Sequence, residues 1–78
     1  MEGMGGLGQT NGLENKIYYF RTSKKWTQKE LAEKLLVSRQ TIVSLEANRY
    51  NPSLIMAFKI ADLFGADINE IFQFKKEE

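Results

Sequence analysis

The chain contains neither cysteine nor histidine among its 78 residues. Without cysteine there can be no disulfide and no thiolate metal site. Without histidine the commonest zinc ligand is missing, as are the usual general base and the Ser–His and Cys–His nucleophile pairs. No apolar run approaches the ~20 residues of a membrane-spanning helix, and no charged n-region followed by an apolar h-region marks a signal peptide. Strand-type alternation is absent too, and proline occurs once, at position 52. The length leaves room for one domain. Apolar residues make up 42% of it, enough for a small core that must pack well because nothing staples it. With its acids scattered and no catalytic pair to name, the chain reads as a non-enzyme. No cofactor, metal or small-molecule ligand is expected. What remains is a binder kept in a reducing, cytoplasmic compartment.

The net charge of +1 conceals a segregation. Residues 1–14 carry two acids and no base. Residues 15–66 carry nine Lys and Arg against four acids, a net +5, and residues 67–78 return to −2. A basic middle between acidic ends hints at nucleic-acid or membrane contact. On charge alone, an ordinary lysine-rich surface is the simpler explanation.

Five of the six glycines lie in residues 1–14, which show no periodicity. This segment reads as a flexible leader or cloning remnant. Its formal G-x-G-x-x-G at Gly3, Gly5 and Gly8 has no strand before it, so the dinucleotide reading is discarded. From Asn15 the pattern turns helical. Ile17, Phe20 and Arg21 share a face of a first helix over 15–23, and Trp26 follows as a core residue. Thr27 with Glu30 three positions later is a capping box, opening a second helix over about 28–35 with Leu31, Ala32 and Leu35 as its apolar stripe. Ser38 caps a third helix running through Ala47, with Ile42 and Leu45 inward, and Asn48 suits the left-handed position at its end. Pro52 and Ser53 lead into a fourth, marked by Leu54, Ala57, Ile60, Ala61 and Phe64 and closed by Gly65. Asp67 and Glu70 open a short fifth, with Ile68, Ile71 and Phe72 inward. The expectation is an all-α, five-helix domain over residues 15–74, with Phe74 and the charged tail at 75–78 fraying.

The stretch Thr27–Pro52 carries the functional signal. Two short capped helices about three residues apart, with Ala32 permitting close approach, match a steeply crossed helix-turn-helix. The second of the pair opens on Ser38, Arg39, Gln40 and Thr41, followed by Ser44. In a DNA-binding unit such residues enter the major groove, where Arg pairs with guanine and Gln with adenine. In an unrelated helical hairpin they would be a solvated first turn.

Residues 16–72 resemble the phage-repressor and xenobiotic-response-element (XRE) family of helix-turn-helix regulators, whose domain is lambda-repressor-like. The carrying residues are Thr27-Gln28-x-Glu30-Leu31-Ala32, Val37-Ser38-Arg39-Gln40-Thr41-Ile42, Leu45-Glu46-Ala47-Asn48-Arg49 and Tyr50-Asn51-Pro52-Ser53-Leu54. The resemblance implies that Gln28 contacts phosphate and braces the recognition helix. It implies that Arg39, Gln40 and Ser44 read bases, and that Ser38 and Thr41 divide between capping, phosphate and thymine-methyl contacts. Asn48 and Arg49 fall in the loop that touches the DNA backbone, and Arg21 with Glu46 matches a pair bridging the first and third helices. Leu36 departs from the family, which often has glycine there; a left-handed leucine costs ~1–2 kcal/mol.

The expected function is therefore a prokaryotic, sequence-specific regulator of transcription, a repressor by occlusion, acting on double-stranded DNA as a homodimer. One domain reading ~3–4 base pairs discriminates too little for a genome, whereas two copies on a pseudo-palindrome suffice. The dimer surface is expected at Phe72–Phe74 with the fifth helix. The competing expectation is a protein-interaction or antitoxin-like module on the same fold, which would present an apolar patch in place of the Arg39–Gln40–Thr41 turn.

Overall fold

A computed structural model describes residues 12–49 and 51–75. The leader reading of residues 1–11, Tyr50 in the connection, and tail residues 76–78 lie outside this range. Five helices occur in the order α1 (Ile17–Ser23), α2 (Gln28–Leu35), α3 (Arg39–Glu46), α4 (Leu54–Phe64) and α5 (Ile68–Ile71), between β1 (Leu13–Asn15) and β2 (Phe72–Phe74). Their starts follow from capping chemistry. Thr27 Oγ1 accepts from the Glu30 amide at 3.0 Å while the Thr27 amide donates to Glu30 Oε1 at 2.8 Å. Ser38 and Ser53 accept from the amides of Thr41 and Met56 at 3.1 and 3.0 Å. The Asp67 amide donates to Glu70 Oε1 at 3.3 Å. Each closure satisfies amides that the first helical turn leaves without partners.

The exits share one device. After α1, α2, α3 and α4 the chain passes through a left-handed residue: Lys25, Leu36, Asn48 and Gly65, with φ of 62°, 61°, 59° and 67°. In each case the next amide reaches back five residues, as from Val37 to the Ala32 carbonyl at 3.0 Å and from Arg49 to that of Ser44 at 2.9 Å. This is the Schellman closure, usually made with glycine. Only Gly65 meets that preference. Leu36 takes the strained conformation with its side chain 87% exposed, so nothing in the core compensates. Leu36→Gly is accordingly expected to stabilise the fold by about 1 kcal/mol. A thermal melt checks this, and an unchanged or lower Tm counts against strain at this turn.

The core is built from one or two faces of each helix. Ile17, Leu31, Ile42, Leu45, Ile60 and Ile71 are fully enclosed. Trp26 is half-buried, stacked on Phe64 with ring centroids 5.8 Å apart and with Lys34 Nζ 4.6 Å from its ring centroid. Both covers make it a packing residue.

Three expectations need correction. First, strands are present: β1 and β2 pair antiparallel, with Leu13 opposite Phe74 and Asn15 opposite Phe72. Leu13 and Glu14 thus belong to the folded unit and not to a leader, Phe74 is paired in β2 and does not fray, and α1 starts at Ile17. The pairing is closed at its far end by the Lys75 amide donating to the Gly12 carbonyl at 2.6 Å. Gly12 sits at φ 85°, where a Cβ would meet Phe74 at 3.1 Å, so any other residue there would be strained. Second, Phe72 has φ −116° and ψ 131° and starts β2 instead of extending α5. Third, Leu54 is 70% exposed, not part of the core.

Candidate nucleic-acid interface

α2 and α3 cross through the buried side chains Leu31, Ala32 and Leu35 against Ile42 and Leu45. Val37 in the turn packs against the same cluster. The burial fixes which way α3 faces. At about 100° per residue, Ile42 and Leu45 turn inward, Gln40, Val43 and Ser44 occupy the opposite arc, and Arg39 lies at the edge of that arc, nearly in line with Glu46 two turns on. Arg39 and Gln40 are exposed, and neither has a side-chain hydrogen bond among the described residues. Among the described residues nothing engages their donors and acceptors, which suits them to an outside partner.

Ser38 and Thr41 are placed differently. Ser38 Oγ accepts from the Thr41 amide and lies 3.0 Å from Thr41 Oγ1. These hydroxyls hold the first turn of α3 in shape, which favours the capping half of their expected roles. Val43 was not singled out by residue type, yet it lies three and four residues from Gln40 and Arg39, the spacing of neighbours on one helix face. It is half-buried and does not pack with the core cluster. An apolar side chain there suits contact with a thymine methyl.

The brace behind α3 is ionic. Arg21 on α1 is buried, and its Nε and Nη2 donate to Glu46 Oε2 and Oε1 at 2.6 and 3.2 Å. The third arm, Nη1, donates to the Trp26 carbonyl at 2.8 Å. Gln28, the first residue of α2, donates through Nε2 to Glu46 Oε1 at 3.1 Å. Glu46 thereby ties the end of α3 to both other helices of the unit. The Arg21–Glu46 bridge is present, and Gln28 hydrogen-bonds to the same carboxylate. Asn48, in its left-handed conformation, and exposed Arg49 follow directly after α3.

A capped two-helix unit with a buried cross-brace and a polar, outward second helix defines a helix-turn-helix protein of the kind that docks one helix in a groove of DNA. Comparison with known proteins agrees. The helix-turn-helix family pattern matches residues 17–71, and the chain belongs to that XRE-type family. It is 48% identical over 66 residues to an HTH-type transcriptional regulator of Methanocaldococcus jannaschii, covering 85% of this chain and all of that one. It is 38% identical over 56 residues to the immunity repressor of Bacillus phage phi105, covering 72% of this chain and 39% of the repressor. A crystal structure of a candidate DNA-binding protein from Bacteroides fragilis superposes with a TM-score of 0.71 at 31% identity, covering 78% of this chain and 98% of that one. Family membership places the chain among transcriptional regulators and not among enzymes. No helix among the described residues is long and apolar enough to cross a membrane.

Proposed function

We propose that the protein is a sequence-specific DNA-binding repressor that reads operators as a homodimer in the cytoplasm, with α3 in the major groove. The observation that carries this reading is the outward arc of α3: Arg39 and Gln40 stand exposed, without a side-chain hydrogen bond among the described residues, on a helix whose Ile42–Leu45 face is locked into the core. Arg39, Gln40 and Ser44 read base edges. Gln28, Asn48 and Arg49 set register on the phosphates, while Ser38 and Thr41 hold the first turn of α3 in shape at the DNA surface. The similarity to a phage immunity repressor supports repression.

For the dimer, the support is an apolar surface the fold does not use. Leu54, Ile55 and Phe58 on α4 are 70, 69 and 55% exposed, and Phe74 on β2 is 70% exposed. Side chains of this kind on a DNA-reading unit favour self-association, which a pseudo-palindromic operator demands. They lie away from the Arg39–Gln40 turn in sequence, and that turn is polar, so the protein-interaction alternative gains nothing at the reading helix.

The test is selection from random duplexes, followed by titration of the winner over a salt series. The expected winner is a pseudo-palindrome with half-site centres about one helical turn apart. Binding should weaken steeply with salt, as for a protein releasing about six to ten counterions. A flat salt response, or no enriched sequence, overturns the reading.

A further inference from the structure

Asn15, the last residue of β1, makes three hydrogen bonds with one side chain. Oδ1 accepts from the Ile17 amide at 3.0 Å. Nδ2 donates to the Leu45 carbonyl at 2.8 Å and to Asn48 Oδ1 at 2.9 Å, across 30 and 33 residues of sequence. The chemistry leaves no freedom in how the two amides are oriented. The Ile17 amide is a donor, so the Asn15 atom facing it must be the oxygen. The Leu45 carbonyl is an acceptor, so the atom facing it must be the nitrogen. Asn48 therefore has to turn its own oxygen toward Asn15, and its NH₂ group is presented elsewhere. Among the described residues that NH₂ has no partner. Leu45 also accepts from the Asn48 amide at 3.1 Å, so Asn15 grips the left-handed turn at two points.

We propose that Asn15 is a positioning residue for DNA binding: it sets the amide of Asn48 so that its two donors face a phosphate, and so links the terminal strand pair to the end of the reading helix. This rests on the DNA-binding reading above. Asn15 is anchored for the task, since it lies opposite Phe72 in the sheet and the adjacent Lys16 amide donates to the Ile71 carbonyl at 2.8 Å. A side chain with no place on the outward arc of α3 thereby governs how the chain leaves that helix.

The experiment is a double-mutant cycle on duplex binding. Asn15→Ser keeps a hydroxyl acceptor for the Ile17 amide and is too short to reach Leu45 or Asn48. Asn48→Gly keeps the left-handed backbone and removes the amide. Each is expected to weaken binding by about three- to tenfold, equally at a selected operator and at a scrambled duplex, because phosphate contacts carry no sequence information. In the Asn48→Gly background, Asn15→Ser should have no further effect. Full affinity in Asn15→Ser, additive losses, or a loss confined to the operator each overturns the proposal while leaving DNA binding intact. If the wild-type chain binds no duplex, the DNA reading itself fails. A measurement on the wild-type chain needs no variant to fold: the Asn15 side-chain amide resonances should shift when duplex is added, and static resonances overturn the proposal.

Discussion

Glu46→Ala is expected to lower the stability of the fold by about 3–5 kcal/mol, since it strands a buried guanidinium. The arginine side chain at this pair is 9% exposed and the glutamate 8%. Removing the carboxylate leaves Arg21 with one acceptor, the Trp26 carbonyl, in place of three, and leaves the Gln28 amide without its Glu46 partner. Against a total of roughly 5–10 kcal/mol for so small a domain, the loss is severe, and Tm should fall by ~15–30 °C. The double replacement Arg21→Met with Glu46→Leu should recover most of it, because well-packed apolar groups often replace a buried pair without loss. That contrast separates two explanations. If the pair stabilises by attraction, both variants are equally damaged. If instead the penalty comes from an abandoned charge, only the single variant collapses. Chemical denaturation of the three proteins decides between them. DNA binding by the double variant is a separate readout, since the ionic brace also fixes the angle of α3.

Glu46 explains why the brace was legible in sequence only through family resemblance. It is the last residue of α3, where a negative charge opposes the helix dipole. By position it reads as a surface acid, and only the arrival of Arg21 from 25 residues away makes it useful. The helix ends tell the opposite story. Thr27 with Glu30, Ser38, and Ser53 are local signals, acting over three residues, and the helices begin where these signals place them. The apolar stripe Leu31–Ala32–Leu35 with Ile42 and Leu45 is similarly local in spacing, and all five are buried. What could not be read is long-range. Three-residue strands are too short to show alternation, and β1 pairs with β2 across nearly the whole chain. Leu-Glu-Asn next to a glycine-rich stretch therefore looks like leader until Phe74 is brought beside it. Likewise Leu54 fits the helical period of α4 but lies in its first turn, beyond the reach of the core.

Arg39→Ala is expected to cost about 1–3 kcal/mol at the preferred operator, or roughly five- to 150-fold in affinity, and to relax preference at one base position. Arg39 opens α3, where the first turn of a recognition helix meets base edges, and among the described residues it has no intramolecular hydrogen bond to give up. The loss should therefore appear in binding and leave Tm nearly unchanged. Charge alone could produce a loss of the same size if Arg39 met a phosphate, so Arg39→Lys is the deciding companion. Lysine keeps the charge and lacks the planar fork that engages guanine at two atoms. For base readout, Arg39→Lys should bind scrambled duplex as the wild type does, with the same salt slope, while losing the preference at that one base position. For a phosphate contact, lysine substitutes with little change at either duplex. Selection repeated with Arg39→Ala gives the finer answer: one position of each half-site should lose its enrichment while the others keep theirs. An unaltered consensus would remove Arg39 from the reading surface and shift the burden of recognition to Gln40, Val43 and Ser44.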